Sequence, residues 1–371
     1  MKFIKLYYTF LLICFTLFAL TAKSQPAILL NYDRLDEEPK WQLKILERSE
    51  KPVVDSTHPD CKDIKYGFEG GEVIKCDGYY HWFPAEMSGD PFWVKMRIAY
   101  WRSEDGENWK RISTLYESSG INSPDNPRSN LWAPMPEFNE KENRWNLFYI
   151  TYHGNAPGQV GTSYSGVLWR AVSKTPGRSG IAGPYENDQI ILEKDSSSES
   201  WEGQQGPASI SPYKLESGGW ASFYCGHNYQ PLSAWLVGII TAPELEGPWK
   251  RRPDLSPSTI DSSFVENPII HKIPDGPYVA VYDNGIAKKN LLGIGFSYSE
   301  DGLHWAPGLN YDIVTENRAW EKMLRTPLGL IPEEDGTYTV FYTAQPKQGK
   351  FYPLSRLKVK IVQKGKEMND N

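Results

Sequence analysis

Five times along this chain a short Pro- or Gly-marked signature opens an apolar, strand-like run, and a second, aromatic-rich run follows within about ten residues. The openings are Phe68-Glu69-Gly70-Gly71, Leu131-Trp132-Ala133-Pro134, Gln205-Gly206-Pro207, Val265-Glu266-Asn267-Pro268 and Arg325-Thr326-Pro327. They recur roughly every 60–70 residues, and a self-similar period in an all-β pattern marks a repeat architecture rather than separate domains. The fold this period predicts is an all-β, five-bladed β-propeller, folding as a single domain over 25–371, with any ligand at the axis.

Lys2 and Lys5, an apolar run from Leu11 to Leu20, and Thr21-Ala22-Lys23-Ser24 follow one another in the order of a secretory signal. The expectation is a signal peptide over 1–24, a mature chain from Gln25, and a secreted or periplasmic location. The apolar run is shorter than the roughly 18–20 residues a spanning helix needs, so no membrane span is expected. Cys14 leaves with the signal. Of the remaining Cys61, Cys76 and Cys225, a Cys61–Cys76 bond and three free thiols are both open. A net charge of −6 with scattered Lys and Arg lacks the basic stripe of a nucleic-acid binder, so no nucleic-acid partner is expected. The 14 Trp and 22 Tyr suit stacking on sugar faces, although strands and blade interfaces use such residues as filling too.

Within each repeat the turns punctuate strands. Blade one reads as strands near Glu72–Lys75, Tyr79–Phe83, Met96–Arg102 and Trp109–Ile112. Its last turn, Ser103-Glu104-Asp105-Gly106, is matched by Ser299-Glu300-Asp301-Gly302 in blade four, and Asp-Gly between strand runs signals a hairpin. Blades two and three end instead on Gly183-Pro184-Tyr185 and Gly247-Pro248-Trp249. Blade five lacks an evident fourth strand after Val362. Trp41–Glu47 would supply it and close the ring, leaving no open sheet edge. In such a disc the inner-strand openings and the second-strand ends Glu86, His153, His227, Asp283 and Gln345 share one face. The Ser-Glu-Asp-Gly turns fall on the other face, where their carboxylates serve the turns.

Registering the openings places Glu69, Trp132, Gln205, Glu266 and Arg325 at equivalent positions round the axis. Charged groups drawn together out of water cost free energy unless paired, and Arg325 neutralises one glutamate but not two. Two carboxyl groups across a pocket are what glycosidic hydrolysis requires, one protonating the leaving oxygen and one activating water or attacking carbon. Glu69 and Glu266 are the expected catalytic pair, with Glu202 in the Trp201-Glu202-Gly203 turn a third candidate. Blades one and four are not neighbours, so a water-sized gap and an inverting reaction are expected. Trp132, Gln205, Arg325, His153, His227, Asp283 and Glu86 are expected to bind substrate.

The Trp132-Ala133-Pro134 and Glu266-Asn267-Pro268 openings, with the Gly-Pro-Trp and Ser-x-Asp-Gly-x-x-Trp endings, make the chain resemble the glycoside hydrolases of family 43 and their five-bladed relatives, families 32, 68, 117 and 130. The resemblance spans nearly the whole mature chain. It implies hydrolysis of terminal sugars such as arabinofuranosides or xylosides, with an Asp base in blade one, an Asp tuning pKa in blade two and a Glu acid in blade three. The sequence departs at each position: Glu69 stands for the base, Met135 for the tuning Asp with Glu137 two residues on, and Gln205 for the acid. The resemblance also admits a calcium at the axis near His271, although no ligand spacing specifies a metal and none is expected to be required.

The expected function is therefore an exported glycoside hydrolase releasing a terminal sugar from a plant or algal-type poly- or oligosaccharide. The alternatives are a non-catalytic carbohydrate-binding propeller, or a phosphorylase or lyase on the same disc. A phosphorylase needs a basic phosphate site, to which Arg325, Arg128 and Arg170 are the candidate contributors.

Overall fold

The structure, a computed structural model, describes residues 28–29, 39–258, 260, 264–286, 291–312 and 319–364. The expected signal segment 1–24 and Cys14 lie outside these residues. Five antiparallel sheets follow one another along the chain. Blade one comprises Phe68–Cys76, Tyr79–Met87, Met96–Ser103 and Trp109–Glu117. Blade two comprises Asn130–Asn139, Arg144–His153, Tyr164–Ser173 and Tyr185–Leu192. Blade three comprises Ala208–Lys214, Trp220–Gly226, Leu236–Ala242 and the short Lys250–Arg251. Blade four runs Glu266–Lys272, Tyr278–Ile286, Leu291–Ser299 and Leu309–Asp312, with Ile28–Leu29 added as a fifth strand at its edge. Blade five is Glu321–Pro332, Tyr338–Pro346 and Leu354–Gln363, completed by Trp41–Arg48.

That last strand pairs from Trp41 opposite Gln363 to Arg48 opposite Leu357, so the expected ring closure is present, blade five has four strands like its neighbours, and Trp41–Arg48 is its outer edge strand. The architecture is the all-β, single-domain five-bladed propeller that the repeat predicts. Among the described residues, no helix is long and apolar enough to cross a membrane.

The aromatic residues that make these segments strands also fill the wedges between blades. Phe341 of blade five meets Trp109 of blade one edge-on at 5.7 Å, and Phe68, Trp82 and Trp101 interlock behind it with no solvent exposure. Each fully buried ring of this kind contributes about 1.5–3 kcal/mol. Cys61, Cys76 and Cys225 are free thiols, and burial pushes Cys61 and Cys225 up to about 12 and Cys76 to about 11, which favours the thiol over the thiolate.

The pairing register fixes the two faces. Glu69 lies opposite Ala85, which pairs with Ile98, whereas Ser103 pairs with Tyr80 and Trp109 at the other end of the same sheet. The Ser-Glu-Asp-Gly turns are therefore on the face away from Glu69, as expected. Asp105 accepts from the backbone N–H groups of Glu107 and Asn108, and Asp301 from those of Leu303 and His304. These carboxylates are consumed by their turns.

Candidate active site at the propeller axis

One backbone device opens four of the five inner strands. The residue after Glu69, Trp132, Ala208 and Glu266 is left-handed in each case, at Gly70, Ala133, Ser209 and Asn267, with φ of 67°, 45°, 53° and 49°, so in blade three the equivalent position is Ala208, with its own bulge before Ser211, and Gln205, expected there, lies ahead of the strand. The ladder slips by a bulge between Glu69 and Gly71, Trp132 and Met135, Glu266 and Ile269, and also between Leu324 and Thr326 in blade five. A bulge re-aims a side chain out of the sheet's alternation, and here it directs the opening residues at the axis. Gly70 shows why so small a residue follows Glu69: a Cβ there would lie 3.4 Å from the Ala133 nitrogen, in a conformation L side chains rarely adopt.

Three of the expected site residues, and a fourth from a second strand, meet in one cluster. Arg325 Nη2 lies 2.8 Å from Glu69 Oε1 and 3.4 Å from Glu266 Oε2, and Arg325 Nη1 lies 2.9 Å from Asp283 Oδ2. Asp283 reaches the cluster because it pairs with Glu266 across the blade-four hairpin. Its Oδ2 also accepts from Asn267 Nδ2 at 3.0 Å, while Oδ1 is buried with no hydrogen-bond partner among the described residues. Donors converging on one oxygen leave the other free to carry a proton. Burial accordingly pushes the Asp283 carboxyl well above its ordinary range, against the pull of Arg325. Burial likewise raises Glu69, with Arg325 opposing it, the Glu266 charge adding to it and the Trp93 indole opposing it. Three carboxyl groups share one guanidinium, so the cluster is short of positive charge.

The two glutamates are closer than the sequence suggested. Glu69 Oε1 and Glu266 Oε2 touch the same nitrogen, so their separation cannot exceed the sum of those two contacts. That lies below the roughly 6.5–9.5 Å that leaves room for a water in inverting enzymes. What these oxygens share is an arginine nitrogen rather than an open gap.

Aromatic groups wall the cluster. Trp93, from the loop between the second and third strands of blade one, donates its indole N–H to Glu69 Oε2 at 3.0 Å. Trp132, half-buried, packs in the same apolar group and donates to Asn130 Oδ1 at 3.0 Å. Gln205 is buried, with its backbone N–H on the His227 carbonyl at 3.1 Å and its Oε1 without a partner among the described residues. The Tyr229 hydroxyl interacts with the Gln205 side chain and lies near enough to Glu266 for that charge to raise it further, as burial already does.

Other expected site residues are held elsewhere. Glu86 is fully buried but turned toward the outer strands, where Arg97 Nε at 2.5 Å, Arg111 Nε at 2.9 Å and Trp101 Nε1 at 2.8 Å all donate to it. Glu202 accepts from Arg251 Nε at 2.8 Å and Nη2 at 3.0 Å, from the Tyr224 hydroxyl at 3.1 Å, and from the Glu199 backbone N–H at 3.0 Å, closing a reciprocal helix-start cap. Arg128 and Arg170, expected with Arg325 at a phosphate site, are instead bound to Asp188 and Glu142 respectively and do not join it.

The histidines divide. His153 faces the Pro124 carbonyl at 2.7 Å in the loops of blade two. His227 is fully buried, stacks on Trp235 at 3.6 Å, and has no partner on Nε2 among the described residues. Burial lowers it to about 4, so it is neutral. His271, also lowered by burial to about 4, lies with Glu137 at a cavity of about 510 Å³ on the inner strands' far ends. Among the described residues no three His, Cys, Asp or Glu side chains are grouped to hold a metal.

Trp93, Tyr229 and Asn267 escaped the sequence reading. Asn267 stood inside an opening already singled out. Trp93 and Tyr229 sit in loops whose approach to the axis no local pattern encodes.

No family model matches the chain, and no curated protein matches it. Solved structures do match in fold. One whose name gives it as a complex of BT0996 and RGII superimposes with a TM-score of 0.65 at 17% identity, covering 85% of this chain and 92% of that one. A structure named only as a glycoside hydrolase gives 0.61 at 16% identity, covering 80% and 88%. A family 117 glycoside hydrolase from the marine bacterium Zobellia galactanivorans gives 0.55 at 12% identity, covering 86% and 90%. At these identities the likeness establishes the fold.

Proposed function

We propose that this chain is an exported glycoside hydrolase that releases a terminal sugar from a plant or algal-type poly- or oligosaccharide. The observation that carries the reading is the axial pair Glu69 and Glu266, two glutamates sharing one guanidinium beneath Trp93 and Trp132. The names of the fold relatives point the same way. Glu69 is the more buried of the two, at 4% side-chain exposure against 17% for Glu266, and burial raises its proton affinity. It is suited to protonate the leaving oxygen, with Glu266 the base or nucleophile and Asp283 and Arg325 fixing both. Inversion requires Arg325 to give way to water when the sugar arrives. Retention does not.

The test is incubation with a panel of plant and algal polysaccharides and aryl glycosides. The expected result is monosaccharide release that Glu69→Gln and Glu266→Gln each abolish. Glu69→Gln should lose far less on a dinitrophenyl glycoside, whose leaving group needs no proton, than on a natural linkage. NMR of the first-formed anomer decides the stereochemistry. Binding without release by the wild-type chain would replace this reading with the carbohydrate-binding one, which the Gln205 carboxamide at the expected acid position favours.

A further inference from the structure

The loop 88–95 of blade one is built to hold Trp93 in place. Its ends are tied by the Ser88 and Gly89 N–H groups on the Lys95 carbonyl, and its middle by the Val94 and Lys95 N–H groups on the Pro91 carbonyl. Ser118 Oγ donates to the Val94 carbonyl at 2.7 Å, and Val94 is fully buried. The Tyr66 hydroxyl donates to Asp90 Oδ1 at 2.5 Å, and Lys65 pairs with the same carboxylate. Phe92 packs edge-on to Tyr66 at 4.9 Å and lies parallel to Trp93 at 4.6 Å, an interplanar angle of 26°.

Trp93 itself has φ of 62°, a left-handed backbone that is costly for a bulky side chain and persists only where its surroundings over-determine it. The strained residue is the one that touches Glu69. Its indole N–H reaches Oε2 while Arg325 reaches Oε1, so each oxygen of that carboxyl has its own donor, one neutral and one charged. An indole can donate but not accept, and a donor binds the ionised carboxyl better than the protonated one.

We infer that Trp93 is a positioning residue that sets the orientation and proton affinity of Glu69, linking the acid–base state of the axial site to the conformation of the blade-one loop. The inference rests on the proposed hydrolase reading only for the use made of Glu69. Burial draws a proton onto the carboxyl, and Arg325 on Oε1 and then the indole N–H on Oε2 oppose it.

The experiment follows Glu69 directly and needs no substrate. In full-length protein carrying carboxyl-13C glutamate, with the Glu69 resonance identified by its loss in Glu69→Gln, Trp93→Phe keeps a ring and removes the donor. The Glu69 proton affinity is expected to rise three- to tenfold, with its titration midpoint moving to higher pH. In 15N-tryptophan-labelled wild type, the Trp93 indole N–H resonance is expected to titrate with the Glu69 midpoint, so the inference is testable even where Trp93→Phe fails to fold. An unmoved Glu69 midpoint in folded Trp93→Phe, or an indole resonance flat across the Glu69 titration, overturns it. Where a glycoside is turned over, Trp93→Phe should move the alkaline limb of the kcat profile to higher pH. Turnover of no glycoside, beside linked titrations, would defeat the hydrolase reading and leave the inference standing.

Discussion

The axis and the blade edges both bury carboxylates beside arginines, and they balance charge in opposite ways. At the edge of blade one, Glu86 is served by two guanidinium groups and an indole, and in blade three Glu202 has a bidentate Arg251 and the Tyr224 hydroxyl. Each of these carboxylates is at least as well supplied with donors as it has charge to share. At the axis one Arg325 serves Glu69, Glu266 and Asp283, and Asp283 keeps a buried oxygen unpartnered among the described residues. Full satisfaction makes a clamp, whereas a shortage leaves proton affinities displaced and acceptors waiting for a donor, as an acid–base site requires.

The comparison breaks most visibly if a clamp proves to be catalytic. Glu202→Gln should cost about 3–5 kcal/mol in denaturant unfolding, because it removes the buried bidentate partner of Arg251 and leaves that guanidinium only the exposed Asp195 carboxylate, while the folded fraction keeps its activity. Unchanged stability with lost activity would move Glu202 into the site. Next in size, Glu69→Gln and Glu266→Gln should each lower turnover at least ~10²-fold and leave the melting temperature equal or higher, since each relieves the crowding of carboxylates. A large loss of stability in either would make the axial cluster another clamp.

A smaller effect belongs to the far ends of the inner strands, where burial pushes Glu137 up to about 8 and Glu72 well above its ordinary range. A carboxyl whose folded value is raised contributes stability that is full below its unfolded value and lost as pH rises through the folded one. Glu137→Gln should therefore flatten the fall in stability between about pH 5 and pH 9. The gain at the alkaline end should be on the order of 1 kcal/mol, trimmed because this half-buried group faces an open cavity. An unaltered pH profile would remove Glu137 from the set of underpaired carboxyls. A change of similar size is expected for Asp105→Ala on the opposite face, about 0.5–1.5 kcal/mol of turn stability with no effect on activity.

How much the sequence disclosed follows the same division. The repeat openings, the hairpin turns and the closing strand were legible because each depends on local pattern: Pro and Gly at bulges, Asp-Gly at turns, alternating apolar residues at 41–47. The openings also brought out Glu69, Glu266 and Arg325, since an equivalent backbone position in every blade implies an equivalent direction. Glu86, at a second-strand end, and Glu202, beside an opening, looked like site residues because neither position carries a mark of its partner. Arg111 and Arg251 come from fourth strands, and only the folded sheet shows that they claim those carboxylates. Trp93 was hidden for the converse reason. Its loop has no strand periodicity, and its contact with Glu69 depends on a left-handed backbone that the residue type argues against.

The strand that completes blade five comes from one end of the described chain and its partner from the other, so almost every residue between must be synthesised before Trp41–Arg48 can find Leu354–Gln363. Until then an eight-residue β segment waits with nothing beside it, and the sheet it belongs to is the last to become whole. Contacts so distant along the chain are slow to form, and a waiting edge is open to pairing with another molecule. The same join that completes the ring thus leaves its precursor with the uncovered strand Leu354–Gln363, open to self-association, and refolding yield should fall with protein concentration more steeply than the stability of the finished ring would suggest.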